Sequence, residues 1–298
     1  MIFGLLTMTM LSAAQAQTPS INEADAQKNK SRIIALAPHI VEMLFSVGAG
    51  GQIVGTSAYA DYPEEAKSIP EIGNYVRLQI ERVIELQPDL IIAWKNGNPS
   101  DDLARLTKLG FNVVYSHPKE LEDIATELAY FGEITGHKAQ GNKVATAFLT
   151  ELKTLTNQYQ YKTEVTVFYE LWSRPLTSIG ASSWPQQHLK VCRAKNPFES
   201  AKTPYPQLNI EQVLQHPIDL IIQPLSINQK DREAFNWQPW QIIPAVKNKR
   251  IIQPDADILH RMSVRALNEL ALLCKDIDQV RQQLATRQKP VTAITPKL

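Results

Sequence analysis

The sequence predicts an α/β protein of two lobes, each built on a parallel sheet, joined by a single long helix, with a ligand cleft between the lobes. Three observations carry that prediction. Short apolar runs alternate with segments of helical period from Arg32 onward, which is the pattern of buried strands fed by crossover helices. The stretch from Lys138 to about Tyr161 breaks the alternation, with helical spacing alone. The pattern Ile-Glu-x-Val…Asp-Leu-Ile-Ile occurs once on each side of that stretch, at 80–92 and at 210–222.

In the first half, Ile33 to Ala37 reads as a buried strand, and Ile40 to Val47 as a helix stopped by Gly48, Gly50 and Gly51. Ile53 to Gly55 is a second strand. Ile80 to Leu86 is a helix ended before Pro88, and Asp89 to Trp94 is a strand. Leu103 to Leu109 is a helix with Gly110 at its end, Asn112 to Tyr115 a strand, and Leu121 to Ile134 a helix ended at Gly136.

The middle stretch contains no Pro, and Val144, Phe148, Leu152, Leu155 and Tyr159 recur at helical spacing. Such a helix is about 35 Å long, the span of a domain, and reads as a rigid connector. After it, Glu164 to Leu171 is a strand, Gln186 to Cys192 and Glu211 to Leu214 are helices, and Asp219 to Ile222 is a strand. Ile242 to Val246 is expected as a short strand or turn, Arg250 to Gln253 as a strand, and Val264 to Gln282 as a closing helix. The two halves are therefore expected to be Rossmann-like lobes. The expected division is a signal peptide at 1–16, a disordered lead-in at 17–31, an N-terminal lobe at 32–137, the connecting helix at 138–162, a C-terminal lobe at 163–282 and a polar tail at 283–298. Pockets favour such interlobe clefts.

At 298 residues the chain is long enough for two medium domains. Lys and Arg number 31 against 30 Asp and Glu, and that balance gives no reason to expect nucleic acid or an anionic membrane surface as partner. The first residues run apolar to Ala14-Gln15-Ala16, the small-x-small pattern of a signal peptidase site, so an exported, periplasmic protein starting near Gln17 is expected. The region before that apolar run carries only the amino terminus as positive charge. No Cys stands directly after the cleavage site, where Gln17 lies, which argues against a lipid anchor. Cys192 and Cys274 are the only cysteines. In an exported protein they admit a disulfide closing a loop of about 80 residues, or two buried free thiols.

Enzyme signatures are missing: no Gly-x-Ser-x-Gly, no Gly-x-x-x-x-Gly-Lys and no Gly-x-Gly-x-x-Gly after a strand. His39 and Glu42 have the spacing to share a helix face and could be asked to bind a metal in an enzyme, but two ligands make a poor site. The plainer reading has His39 at a helix start or on a cleft wall. Tyr59, Tyr62, Tyr75, Trp94, Trp172, Trp184 and Tyr205 fall mostly at strand ends or in loops. Ligands of open α/β sheets sit beyond the carboxyl ends of strands, where aromatics can stack on a large planar ligand.

The stretches Leu36-Ala-Pro-His-Ile-Val-Glu42, Val54-Gly-Thr-Ser-Ala-Tyr-Ala-Asp-Tyr-Pro63, Ile91-Ile-Ala-Trp-Lys-Asn-Gly-Asn98, Pro204-Tyr-Pro-Gln-Leu-Asn-Ile-Glu-Gln-Val-Leu214 and Asp257-Ile-Leu-His-Arg-Met-Ser-Val-Arg265 keep one order and spacing. Through them the chain resembles the periplasmic cobalamin-binding proteins of ABC importers, from about Arg32 to Cys274. The resemblance implies that Tyr59, Tyr75, Trp94, Tyr205, Asp257 and Arg261 face the corrin ring or its side chains. It implies a Cys192–Cys274 disulfide, and Glu81 and Glu211 as the pair, one per lobe, that docks on permease arginines. It implies cobalamin as transported ligand, no cofactor, no catalysis, and a free protein that is monomeric. Tyr75, Tyr205 and Ile258 stand where that family tends to have Trp. An iron-siderophore or haem carrier of the same fold is the nearest alternative, with Tyr59, Tyr75 or His39 as axial candidates for haem. An acid in a first helical turn is also favoured by the macrodipole, so Glu81 and Glu211 need no partner to be explained.

Overall fold

The computed structural model describes residues 31–226 and 234–288. The expected signal peptide, nearly all of the lead-in and the end of the polar tail lie outside the described residues.

Two four-stranded parallel sheets, one in each half, are joined by one long helix. The first holds β1 (Ile33–Ala35), β2 (Ile53–Thr56), β3 (Leu90–Trp94) and β4 (Val113–Ser116) in the order β2-β1-β3-β4. Its helices are α1 (Pro38–Ser46), α2 (Ile80–Leu86), α3 (Ser100–Lys108) and α4 (Leu121–Ile134). The second holds β5 (Val165–Tyr169), β8 (Ala194–Lys195), β9 (Leu220–Ile222) and β10 (Ile251–Ile252) in the order β10-β9-β5-β8. Counted from the start of each half, both sheets have the order second, first, third, fourth. The repeated sequence pattern lands at the same place in both: α2 feeds β3, and α7 (Ile210–Leu214) feeds β9, each the third strand. Strand side chains alternate between faces. Ile33 and Ala35 accordingly join the core shared with the long helix, while Ile34 and Leu36 join a separate outer cluster with Val83, Ile91 and Leu103.

The connector is α5 (Lys138–Tyr159), whose 22 residues span about 33 Å. Its Phe148, Leu152, Leu155 and Tyr159 belong to one buried cluster that takes in Ile33 and Val41 on one side and Val165, Leu220 and Leu270 on the other. Each such side chain contributes roughly 1.5–3 kcal/mol on burial, so the helix is bonded into both halves rather than strung between them. It meets α4 where Gly132 faces Gly141. A Cβ on Gly132 would lie 2.7 Å from the Gly141 Cα, so the two backbones touch with no room for a side chain.

The second half adds the antiparallel hairpin β6 (Trp172–Ser173) and β7 (Leu176–Thr177), and the helices α6 (Trp184–Val191), α8 (Pro244–Lys247), α9 (Ala256–Leu259) and α10 (Ala266–Gln288). Ile242 to Val246, expected as a short strand or turn, is a turn at Ile242 that leads into α8. Pro244 at its first position fixes φ for a helix and has no N–H for a ladder. The closing helix starts at Ala266 and runs on to Gln288, past the expected stop at Gln282. Cys192 and Cys274 form a disulfide across 82 residues, tying the end of α6 to α10. Among the described residues no helix is long and apolar enough to cross a membrane.

Candidate functional site

A cavity of about 720 Å³ opens beyond the carboxyl ends of the strands, where open α/β sheets hold ligands. Trp94, the last residue of β3, walls it from the first half. Leu171, Trp172, Thr177, Trp184, Tyr205, His260 and Met262 wall it from the second. The volume and the aromatic lining suit a large, flat, mostly apolar ligand.

Trp94 is held from several sides. Its backbone N–H donates to Asn98 Oδ1 at 2.7 Å, and Asn98 Nδ2 donates to the Leu36 carbonyl at 2.8 Å. The ring lies over Gly97, where a Cβ would come within 1.8 Å of Trp94 Cε3. The His39 ring meets it edge-on, centroids 5.4 Å apart. Ser116 Oγ donates to Glu127 Oε2 at 2.6 Å, so the same oxygen accepts from His39 Nε2 at 3.0 Å. Burial, helped by the charge of Arg261, drives the His39 pKa down to about 3, so the imidazole is neutral. Burial also pushes the Glu127 carboxyl up, against its hydrogen bonds from Ser116 and His117.

The second half presents Trp172 on the β6–β7 hairpin, half-exposed. The hairpin is anchored through Glu170. This buried carboxylate accepts from Ser173 Oγ at 2.8 Å, Gln223 Nε2 at 2.8 Å, Trp237 Nε1 at 2.7 Å and the Phe235 N–H at 3.0 Å. Its desolvation is offset by these four donors. His260 is oriented by a 2.7 Å hydrogen bond between its Nε2 and Tyr169 Oη.

Beside the cavity, one carboxylate ties the halves together. Glu42, on α1 and 3% exposed, accepts from Arg261 Nη1 at 2.9 Å, Arg265 Nη2 at 2.5 Å, Arg265 Nε at 3.0 Å and Ser263 Oγ at 2.5 Å. Arg261 also donates to Asp61 Oδ1 at 2.5 Å and to the Tyr59 carbonyl at 3.2 Å. Arg265 lies over the Tyr62 ring at 3.8 Å. Although desolvation would raise Asp61, the hydrogen bond and charge of Arg261, with Arg265, hold it below the usual carboxylate range. Removing the enclosed Glu42 typically costs about 3–5 kcal/mol, because two guanidiniums are left uncompensated. The His39–Glu42 metal reading is thereby corrected. Two guanidiniums and a hydroxyl occupy the Glu42 oxygens, Ser116 holds His39 Nε2, and no group of three or more metal-capable side chains occurs among the described residues.

Of the six residues expected to face a ligand, Trp94 and Tyr205 line the cavity. Arg261 and the Tyr59 backbone belong to the bridge beside it. Asp257, on α9, accepts the Ser226 hydroxyl on both oxygens at 2.8 Å. Tyr75 stands 70% exposed, next to Asn74, whose side chain accepts the N–H groups of Val76 and Arg77. Glu81 and Glu211 are exposed in the first turns of the equivalent helices α2 and α7, with Arg105 3.7 Å from Glu81. Ile258 is half-buried on α9. Trp172 and Trp184 were visible in the sequence as loop aromatics. His260 and Met262 carried no signal beyond lying inside the Asp257–Arg265 stretch, and Glu170 carried none.

The chain matches the model of the periplasmic binding protein family over residues 33–258. It is 35% identical over 254 residues to the vitamin B12-binding protein of Vibrio vulnificus (strain CMCP6), covering 85% of this chain and 92% of that one. Among solved structures it is similar to the periplasmic vitamin B12 binding protein BtuF of Vibrio cholerae, with a TM-score of 0.77, 33% identity, and 85% of this chain and 99% of that one covered. The periplasmic heme-binding protein RhuT from Roseiflexus sp. RS-1 shares the fold at a TM-score of 0.75 but only 20% identity, over 85% of this chain and 100% of that one.

Proposed function

Because this chain belongs to the periplasmic binding protein family, we propose that it captures cobalamin in the cleft between its lobes and delivers it to the permease of an ABC importer, without catalysis of its own. The observation that carries this reading is the cavity walled by Trp94, Trp172, Trp184 and Tyr205, in a chain 35% identical to a vitamin B12-binding protein. A corrin ring offers flat apolar faces to such walls and amide side chains to the polar atoms around them. Trp172 supplies an aromatic surface where Ile258 does not.

Working in the periplasm requires export, and the apolar start closed by Ala14-Gln15-Ala16 supports a cleaved signal peptide. The lobes are then 32–137 and 163–288, the second ending with α10, and 138–162 lies between them. Delivery requires a signal readable from outside. Glu81 and Glu211 stand exposed at the same topological place in each half, so two equal charges can engage two equivalent permease subunits. A helix bonded into both lobes favours modest closure over the ligand rather than a wide hinge.

The test is a set of titrations of the mature protein with cyanocobalamin, haemin and a ferric siderophore, followed by tryptophan fluorescence and heat. Cyanocobalamin is expected to bind below micromolar concentration and to be preferred. No cobalamin binding at micromolar concentration overturns the reading, and tighter binding of haemin or the siderophore transfers it to that cargo.

A further inference from the structure

The wall beside the cavity carries two guanidiniums, and each is already matched by a carboxylate of this chain. Arg261 is held between Glu42 and Asp61, and Arg265 is held by Glu42 through two hydrogen bonds. The cluster adjoins the ligand space on both sides. Arg261 lies between His260 and Met262, which both line the cavity, and Glu42 lies one turn beyond His39, whose ring touches Trp94. Arg174 also lines the cavity and does not stand alone either. An anionic group entering beside this cluster loses hydration and meets Arg261 and Arg265 with their charge already spent on Glu42 and Asp61.

We propose that Asp61 and Glu42 make the cleft selective for a macrocycle with a neutral, amide-bearing periphery over one bearing carboxylates, by holding Arg261 and Arg265 in internal ion pairs. The inference rests on the cobalamin reading and deepens it. The corrin side chains of cobalamin end in amides, which ask only for dipolar partners, save the one that continues into the phosphodiester-linked base; cobinamide lacks that phosphate. Haem and the corrin acids carry carboxylates, which ask for an uncommitted cation. Selectivity of this kind comes from withholding a partner from the wrong ligand as much as from contacts to the right one. Asp61 is the adjustable member, since a third of its side chain is exposed while Glu42 is enclosed.

The experiment compares two probes with the same macrocycle, dicyanocobinamide with its amides and dicyanocobyrinic acid with carboxylic acids in their place. The mature protein, Asp61→Asn and Glu42→Gln are titrated with each, with far-UV circular dichroism reporting that each variant is folded. Wild type is expected to prefer the amide probe by at least about tenfold, and Asp61→Asn to narrow that ratio by about five- to tenfold. The narrowing should fade in about 0.5 M salt, because a freed cation is screened and a packing change is not. Equal affinity of wild type for the two probes overturns the proposal, as does an unchanged ratio in folded Asp61→Asn. If Glu42→Gln does not fold, Asp61→Asn decides alone. Failure of both probes to bind wild type overturns the cobalamin reading together with this one, whereas tight binding of both overturns only this one.

Discussion

Acidification should weaken this protein through two imidazoles that the fold buries uncharged. His188, on α6, is fully buried, and neither ring nitrogen has a hydrogen-bond partner among the described residues. Burial, with repulsion from His260, lowers its pKa to about 3. His39 is lowered to about 3 as well, by burial and by the charge of Arg261. In the unfolded chain both titrate near ~6.5. Between those values the unfolded state binds more protons than the native state, so stability falls as the pH drops from about 6.5 toward 3 and is unaffected by these groups above that window. At about pH 5 each imidazole costs about 2 kcal/mol, roughly 4 together. Asp61 is held low by Arg261, and Asp278 by Lys162 and Arg281. Both lose their contribution only below about pH 4, so pH 5 reports mainly on the histidines. The assay is urea unfolding, followed by far-UV circular dichroism, at about pH 7.5 and about pH 5. His188→Leu fills the site with an apolar side chain and should shrink the difference between the two pH values by about 2 kcal/mol. Contributions from Glu127 and the other carboxylates are common to both proteins and cancel. The same difference in wild type and variant would refute the assignment.

Other consequences are as direct. Trp94→Ala should weaken cyanocobalamin binding about 30-fold, the loss of a central aromatic anchor worth about 2 kcal/mol, read by calorimetry. Gly97→Ala should weaken it by about tenfold or more with Trp94 still present, because its Cβ would fall 1.8 Å from the indole ring; a shifted tryptophan emission maximum is the accompanying sign. Glu81→Ala combined with Glu211→Ala should abolish transport into vesicles carrying the permease while ligand affinity stays intact, and transport that persists removes the docking role. Cys192→Ala with Cys274→Ala opens a loop of 82 residues and should lower unfolding free energy by about 4–5 kcal/mol, measured by the shift in urea midpoint.

Much of the fold was legible because the central strands of both sheets are largely buried. Ile33–Ala35, Leu90–Trp94 and Leu220–Ile222 are continuous apolar runs that only a covered parallel strand explains. The connector was legible from five apolar residues at helical spacing, all of them buried except Val144. What escaped was short or set by tertiary contact. The two-residue strands β6, β7 and β8 escaped, whereas the equally short β10 was expected within Arg250–Gln253. α9 is announced only by the Asp255 cap, whose side chain accepts the Asp257 N–H. In the site, aromatics at strand ends pointed to Trp94, Trp172 and Tyr205 before any geometry was known. The Glu42 cluster could not be read that way. Glu42 and Arg265 are 223 positions apart, and the pairing exists only because α1 and the segment before α10 meet across the cleft. Taken alone, His39 and Glu42 on one helix face resembled a metal pair, and the guanidiniums that exclude that reading lie at the far end of the chain.

The most direct measurement is a crystal structure of the mature protein with cyanocobalamin. The corrin ring is expected in the cavity between Trp94 and the wall formed by Trp172, Trp184 and Tyr205, with Arg261 still paired to Asp61. A macrocycle seated outside that cavity, or crystals grown with excess ligand whose cleft holds none, would contradict a cobalamin carrier built on these residues.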